Sequence, residues 1–175
     1  MIRAGNGACA TGCSPGDADQ YSAIVAAHGS ITSDEITASH QVELLSYENI
    51  TSNVEAEGGS VDMIAVGDIR SPKFAAGTSA TLSAWGDLGA AAGNTKITAE
   101  TTVAVDVHGN AAAEIAAGAD VTVDVTGNLT GKMATDTGDV SVGVLGNIAT
   151  VSIIANLKSV DVVAGGDASD LNITA

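Results

Sequence analysis

Large rings are nearly absent from this 175-residue chain: Tyr21, Tyr47, Phe74 and Trp85 are its only aromatic residues, 2% of the total. A globular core of ordinary thickness leans on several more, so a thin core of small and β-branched side chains is expected. Basic residues are equally scarce. Six Lys and Arg stand against 21 Asp and Glu, a formal charge of −15. That balance excludes nucleic acid, whose phosphates need a basic patch, and it opposes an anionic membrane surface. No apolar run approaches the roughly 18 residues of a membrane span.

The opening Met1-Ile2-Arg3-Ala4-Gly5-Asn6-Gly7 carries no apolar core of a secretory signal, so it reads as a cytosolic start or a mature chain with its leader removed. The only cysteines, Cys9 and Cys13, share one Gly-rich stretch. Two thiols with no His beside them make half a tetrahedral metal site, whereas a short disulfide or idle thiols need nothing more. Disorder, the usual state of strongly acidic chains, is opposed by an apolar content of 45% in a regular pattern.

That pattern is a repeat. An eight-residue motif ending in Gly followed by Asp or Asn recurs without gaps, as in Val61 through Gly67-Asp68 and Val121 through Gly127-Asn128. Its turn position falls at 29, 48, 67, 86, 109, 127, 146 and 166, spacings of 19, 19, 19, 23, 18, 19 and 20 residues. The first, third and fifth positions are apolar or small, with Val121, Val123 and Val125 the cleanest case. Period 2 marks a strand with one buried face. Gly-Asp or Gly-Asn then ends the strand in a turn, where these residues tolerate positive φ.

A second short strand of the form apolar-x-Ala follows, at Ile36-Thr37-Ala38, Val54-Glu55-Ala56, Phe74-Ala75-Ala76, Ile97-Thr98-Ala99, Ile115-Ala116-Ala117 and Ile173-Thr174-Ala175. Two strands and their turns in 19 residues cannot bury their own apolar face, but stacked copies can. The expected fold is therefore all-β: a single parallel β-solenoid of about eight rungs over residues 21–175, right-handed by the default hand of parallel crossovers. Residues 1–20 read as an irregular lead-in or cap. The rung from Gly86 to Gly109 carries about four extra residues, a loop around Gly89–Asn94.

The alternation of V-x-V-x-x-G-[ND]-[IL] with I-T-A resembles the repeats of filamentous-haemagglutinin-type exoproteins and other giant bacterial surface proteins. The resemblance implies an extracellular, adhesive or scaffolding role. A chain stopping at Ala175, inside a rung, adds the expectation of either a piece of a longer solenoid or a filament subunit that self-associates, end to end or laterally.

Candidate sites follow from the columns that stacking creates. The turn column Ser30, Asn49, Asp68, Asp87, Asn110, Asn128, Asn147 and Asp167 should form a ladder along one edge. Asn side chains would bond to one another and cap the turns. Alternatively, Asp68 and Asp87, about 5 Å apart, would hold calcium against their repulsion. No other cofactor is implied. The sixth motif position, outward-facing, reads His28, Tyr47, Val66, Trp85, His108, Thr126, Leu145, Gly165. With outward Leu45 and Ile64 it makes an apolar patch of Leu45, Tyr47, Ile64, Val66 and Trp85, the kind that marks a contact surface; the competing reading is cover by the N-terminal segment.

His28 and His108 stand too far apart to share a metal. Asn49-Ile50-Thr51, Asn128-Leu129-Thr130 and Asn172-Ile173-Thr174 match the glycosylation acceptor pattern, though turn formation explains two of the three. Enzymes of β-helical fold that cleave acidic polysaccharides want paired carboxylates or a basic group in a groove, with aromatic platforms. Only Arg70, Lys73 and Trp85 are remotely of that kind, so no catalytic residue and no enzyme is expected. Binding or cleavage of carbohydrate, including cell-surface glycans, is the alternative. Ice binding needs a flat outward Thr array, and Thr81 and Thr122 share their column with Ile24, Glu43, Asp62, Ala104, Ser141 and Asp161.

Overall fold

The computed structural model describes residues 2–3, 22–89, 93–156 and 158–175. Among them there is no helix: the chain is a parallel β-solenoid of eight two-stranded rungs. The eight-residue motif forms the first sheet: β2 (Ala23–Ala27), β4 (Val42–Ser46), β6 (Val61–Ala65), β8 (Ala80–Ala84), β10 (Val103–Val107), β12 (Val121–Val125), β14 (Val140–Val144) and β16 (Val160–Ala164). The chain returns through the second sheet: β3 (Ile31–Ala38), β5 (Ile50–Ala56), β7 (Lys73–Ala76), β9 (Thr95–Ala99), β11 (Ala111–Ala117), β13 (Leu129–Thr135), β15 (Ile148–Ala155) and β17 (Ala168–Thr174). A two-residue strand, β1 (Ile2–Arg3), pairs on the free edge of β3 with Ile2 opposite Ile36. Cys9 and Cys13, with the rest of residues 4–21 and so most of the 1–20 lead-in, lie outside the described residues.

Register in the first sheet is gap-free. Val42, Val61, Ala80, Val103, Val121, Val140 and Val160 stand in one column, each opposite the next. A slip of one residue would turn every apolar side chain to water, so the alternation enforces this register. The inward columns bury Val, Leu, Met and Ala almost completely, at about 1.5–3 kcal/mol for each large side chain. Phe74, wholly buried, is the only ring in the described core.

The second sheet is less regular. Its central column runs Ile36, Val54, Phe74, Ile97, Ile115, Met133, Ile153, Ile173. Met133-Ala134-Thr135 departs from the apolar-x-Ala pattern by ending in Thr, while Ile153-Ile154-Ala155, which fits it, is a further copy in the same column. Pairing between β13 and β15 skips Thr150, which adopts φ 55°, and Asp170 one rung on adopts φ 51°. β15 takes up one extra residue against β13, and β17 repeats the bulged conformation with no further shift, at some cost in backbone strain. In the third and fourth rungs the part of the sheet ahead of β7 and β9 is reduced to single bridges at Ile69 and Leu88. The inserted residues of the long rung lie between Leu88 and Thr95.

Among the described residues the final rung has no neighbour on its outer edge. Val160, Val162 and Ala164 are only half-buried there, and Ile173 is 45% exposed where its column-mate Ile153 is fully buried.

Candidate functional site: a corner ladder and two outward faces

The corner after each first-sheet strand always has three residues, from 28–30 through 165–167. Its side chains form one continuous ladder. The Asn49 side-chain oxygen accepts the Asp68 backbone N–H at 2.7 Å, and Asp68 Oδ1 accepts that of Asp87 at 2.9 Å. Asp87, Asn110, Asn128 and Asn147 accept in turn from Asn110, Asn128, Asn147 and Asp167 at 2.7–3.0 Å. Only the first step is long: Asn49 N–H reaches Ser30 Oγ at 3.4 Å. The dominant bond is therefore side chain to backbone. Side-chain amides add bonds only from Asn110 to Asp87 and from Asn128 to Asn110, at 3.2 and 3.1 Å.

The glycines of this corner are not there for positive φ, contrary to the sequence reading. Among the described residues only Gly93 and Gly131 have glycine φ values in that region. The reason is close approach. A Cβ on Gly86 would stand 2.1 Å from Asp68 Oδ1, on Gly67 2.3 Å from Asn49 Oδ1, and on Gly166 2.4 Å from Asn147 Oδ1. The ladder oxygen occupies the volume a side chain would need. Glu48 replaces glycine in the one rung that sits above Ser30 instead of an Asp or Asn, and there Ser30 Oγ donates to Glu48 Oε2 at 2.9 Å.

The Asp68–Asp87 step does not leave two bare carboxylates face to face. Asp68 Oδ1 accepts the Asp87 amide, and Asp68 Oδ2 takes Arg70 Nη2 at 2.5 Å. Among the described residues no group of three or more His, Cys, Asp or Glu is placed to hold a metal ion. Asn49 and Asn128 are ladder members, while Asn172 is exposed on β17.

The opposite corner solves the same problem in several ways. It has three residues in some rungs and four in others, as at 118–120 and 136–139. Thr101 and Thr137 donate their hydroxyls to the carbonyls of Thr78 and Gly118, and a short ladder runs Asp120, Asp139, Ser159. Inside the rod, buried Thr95 donates to the Ser71 carbonyl at 2.8 Å, and Ser71 to that of Ser52. These ladders have no strict sequence period, so composition alone does not reveal them.

The outward patch is where the alternation put it. Tyr47, Ile64, Val66 and Trp85 are 49–64% exposed, and Leu45 is half-buried between them. His28 stacks on Tyr47 with centroids 5.2 Å apart, and His108 on Trp85 at 4.8 Å, one ring per rung. The histidines are thus rungs of an aromatic ridge, a role their separation in sequence hides. Stacking along the rod covers one face of each ring. Arg70 and Lys73 belong to the second-sheet side and Trp85 to the first, so the fold does not gather the three into one groove.

Charge divides between the faces. Outward positions of the first-sheet strands carry Glu43, Asp62, Asp106, Asp124 and Asp161, with no basic residue. Lys73, Lys96 and Lys132 project from one column of the second sheet, with Glu114 between the last two. Lys73 Nζ pairs with Glu55 at 3.0 Å.

No protein-family model matches the chain, and no curated protein and no solved structure matches it significantly.

Proposed function

We propose that this protein is an extracellular structural or adhesive surface protein, a rod of the kind found in filamentous-haemagglutinin-type exoproteins, which works by contact and not by catalysis. The observation that carries this is the exposed ridge of Tyr47, Val66 and Trp85 on a rigid, hydrogen-bonded scaffold. Contiguous exposed apolar side chains on a soluble acidic rod mark a contact surface. A regular stack of rungs holds such side chains at a fixed pitch, which suits repeated contacts with a neighbour or a lattice. The strong negative charge favours solubility in a salty exterior medium. Self-association, lateral or end to end, belongs to this reading.

Light scattering of the purified chain, with negative-stain images of the same sample, tests it. Oligomers or fibres that grow with concentration are the expected result. A 17 kDa monomer at every concentration, together with strong binding on a glycan array, would replace the scaffold with the carbohydrate-binding alternative. Titrating calcium into the same sample tests the Asp68–Asp87 step: with Asp68 already engaged, no change in mass or melting temperature is expected.

A further inference from the structure

We infer that the two faces of the solenoid are complementary to each other, so that the first sheet of one copy seats on the second sheet of another with the rod axes antiparallel. This names the partner in the scaffold reading above and rests on it. The first-sheet face presents a ridge, Val66, Trp85 and His108, flanked on the strand side by Ile64, Ser83 and Asp106, with Asp124 one rung beyond. The second-sheet face presents a shallow depression of about 400 Å³ floored by Thr98, Ala116 and Ala134. One rim of the depression is the column Lys96, Glu114, Lys132, net positive and continued one rung on by Lys73, which pairs with Glu55; the other is acidic, with Glu100 and Asp136.

Orientation follows from chain direction. The chain crosses the first sheet one way and returns across the second. When the two faces meet with axes parallel, their strands run oppositely, and a ridge seated in the depression puts Asp106 and Asp124 against the acidic rim. Turning one rod end for end reverses this. The aspartates then lie over the lysines while the ridge stays over the small residues. One register seats the ridge and pairs the aspartates with lysines: Trp85 over Ala116, Val66 over Ala134, His108 over Thr98, Asp106 opposite Lys96 and Asp124 opposite Lys73, with uncharged Ser83 opposite Glu114 and Ile64 beside the Lys132 stem. Both faces repeat at the same rung spacing, about 4.8 Å, so rungs in step at one level stay in step at the next. Such a contact is heterologous and does not close on itself, so it builds layers of alternating polarity.

Charge exchange tests this directly. Lys73→Glu with Lys96→Glu makes one variant, and Asp106→Lys with Asp124→Lys makes the other; all four side chains are exposed. By sedimentation velocity over a concentration series, each variant alone should associate at least about tenfold more weakly than the parent. Equal mixing should restore association, since each variant's altered face then meets its opposite. Ala116→Arg, which fills the depression, should weaken association without changing the melting temperature. Association unchanged in all three variants would overturn the face assignment and leave the scaffold reading standing. A parent chain that stays monomeric throughout would overturn both. Weakened variants that do not recover on mixing would overturn the antiparallel pairing.

Discussion

The two corners of each rung perform the same turn under different constraints. The corner at Gly-Asp or Gly-Asn always has three residues and carries one unbroken ladder, each side-chain oxygen capping the next rung's amide. The opposite corner varies in length and mixes hydroxyls, carboxylates and glycines. All the variation in period, from 18 to 23 residues, falls on the return path and the second corner. A repeat protein needs only one position per rung that fixes register; once it exists, the rest of the rung can drift. Here that position is the first corner, because glycine and ladder oxygen interlock across rungs and neither can move without the other.

Breaking the two corners alike should show this difference most strongly. One Gly inserted between Gly86 and Asp87 removes two ladder bonds and shifts the following strand, and is expected to cost about 3 kcal/mol or more in denaturant unfolding. The same insertion between Thr101 and Thr102 should cost about 1 kcal/mol, the scale of a lengthened loop. Equal losses would mean that both corners fix register.

Within the first corner, Gly86→Ala places a methyl 2.1 Å from Asp68 Oδ1 and close to the backbone of the rung below. A loss of about 2–3 kcal/mol follows from such overpacking. Gly29→Ala, whose Cβ would come no nearer than 3.9 Å to Glu48 Oε2, should stay within about 0.5 kcal/mol of the parent. Below the Gly86→Ala loss, Asn128→Ala removes the acceptor for Asn147 N–H and one side-chain bond to Asn110. Its expected cost is about 1 kcal/mol, that of a lost cap. Asn128→Asp keeps the acceptor and should recover most of it.

The sequence reveals most where the rung is most constrained. Val121, Val123 and Val125 alternate against Thr122, Asp124 and Thr126, and that pattern has one structural solution, so strands, register and inward columns can all be read from it. The Asp and Asn column is legible as a ladder, but its bonding is not. That Asn128 donates both its backbone N–H and its side-chain amide to Asn110 Oδ1 depends on rung spacing and turn geometry, which no residue name encodes. The glycines mislead for a related reason: close approach and positive φ both demand glycine, and only coordinates separate them. Thr150 and Asp170, the stacked residues at positive φ, are invisible because neither type announces a bulge. His28 and His108 show how a column hides a contact. Each stacks on a ring 19 or 23 residues away, and the pair emerges only when the long rung is aligned correctly.

Amide hydrogen exchange followed by NMR tests the ladder most directly. The N–H groups of Asp68, Asp87, Asn110, Asn128, Asn147 and Asp167 lie in solvent-facing turns, where unbonded amides exchange rapidly. The structure predicts that Asp68 through Asn147 exchange as slowly as strand amides such as Val123, because each is held by the rung before it. Asn49, with its 3.4 Å contact to Ser30, should be the fastest of the column. Uniformly fast exchange along the corner, with the strands still protected, would contradict a ladder that sets the register of the rod.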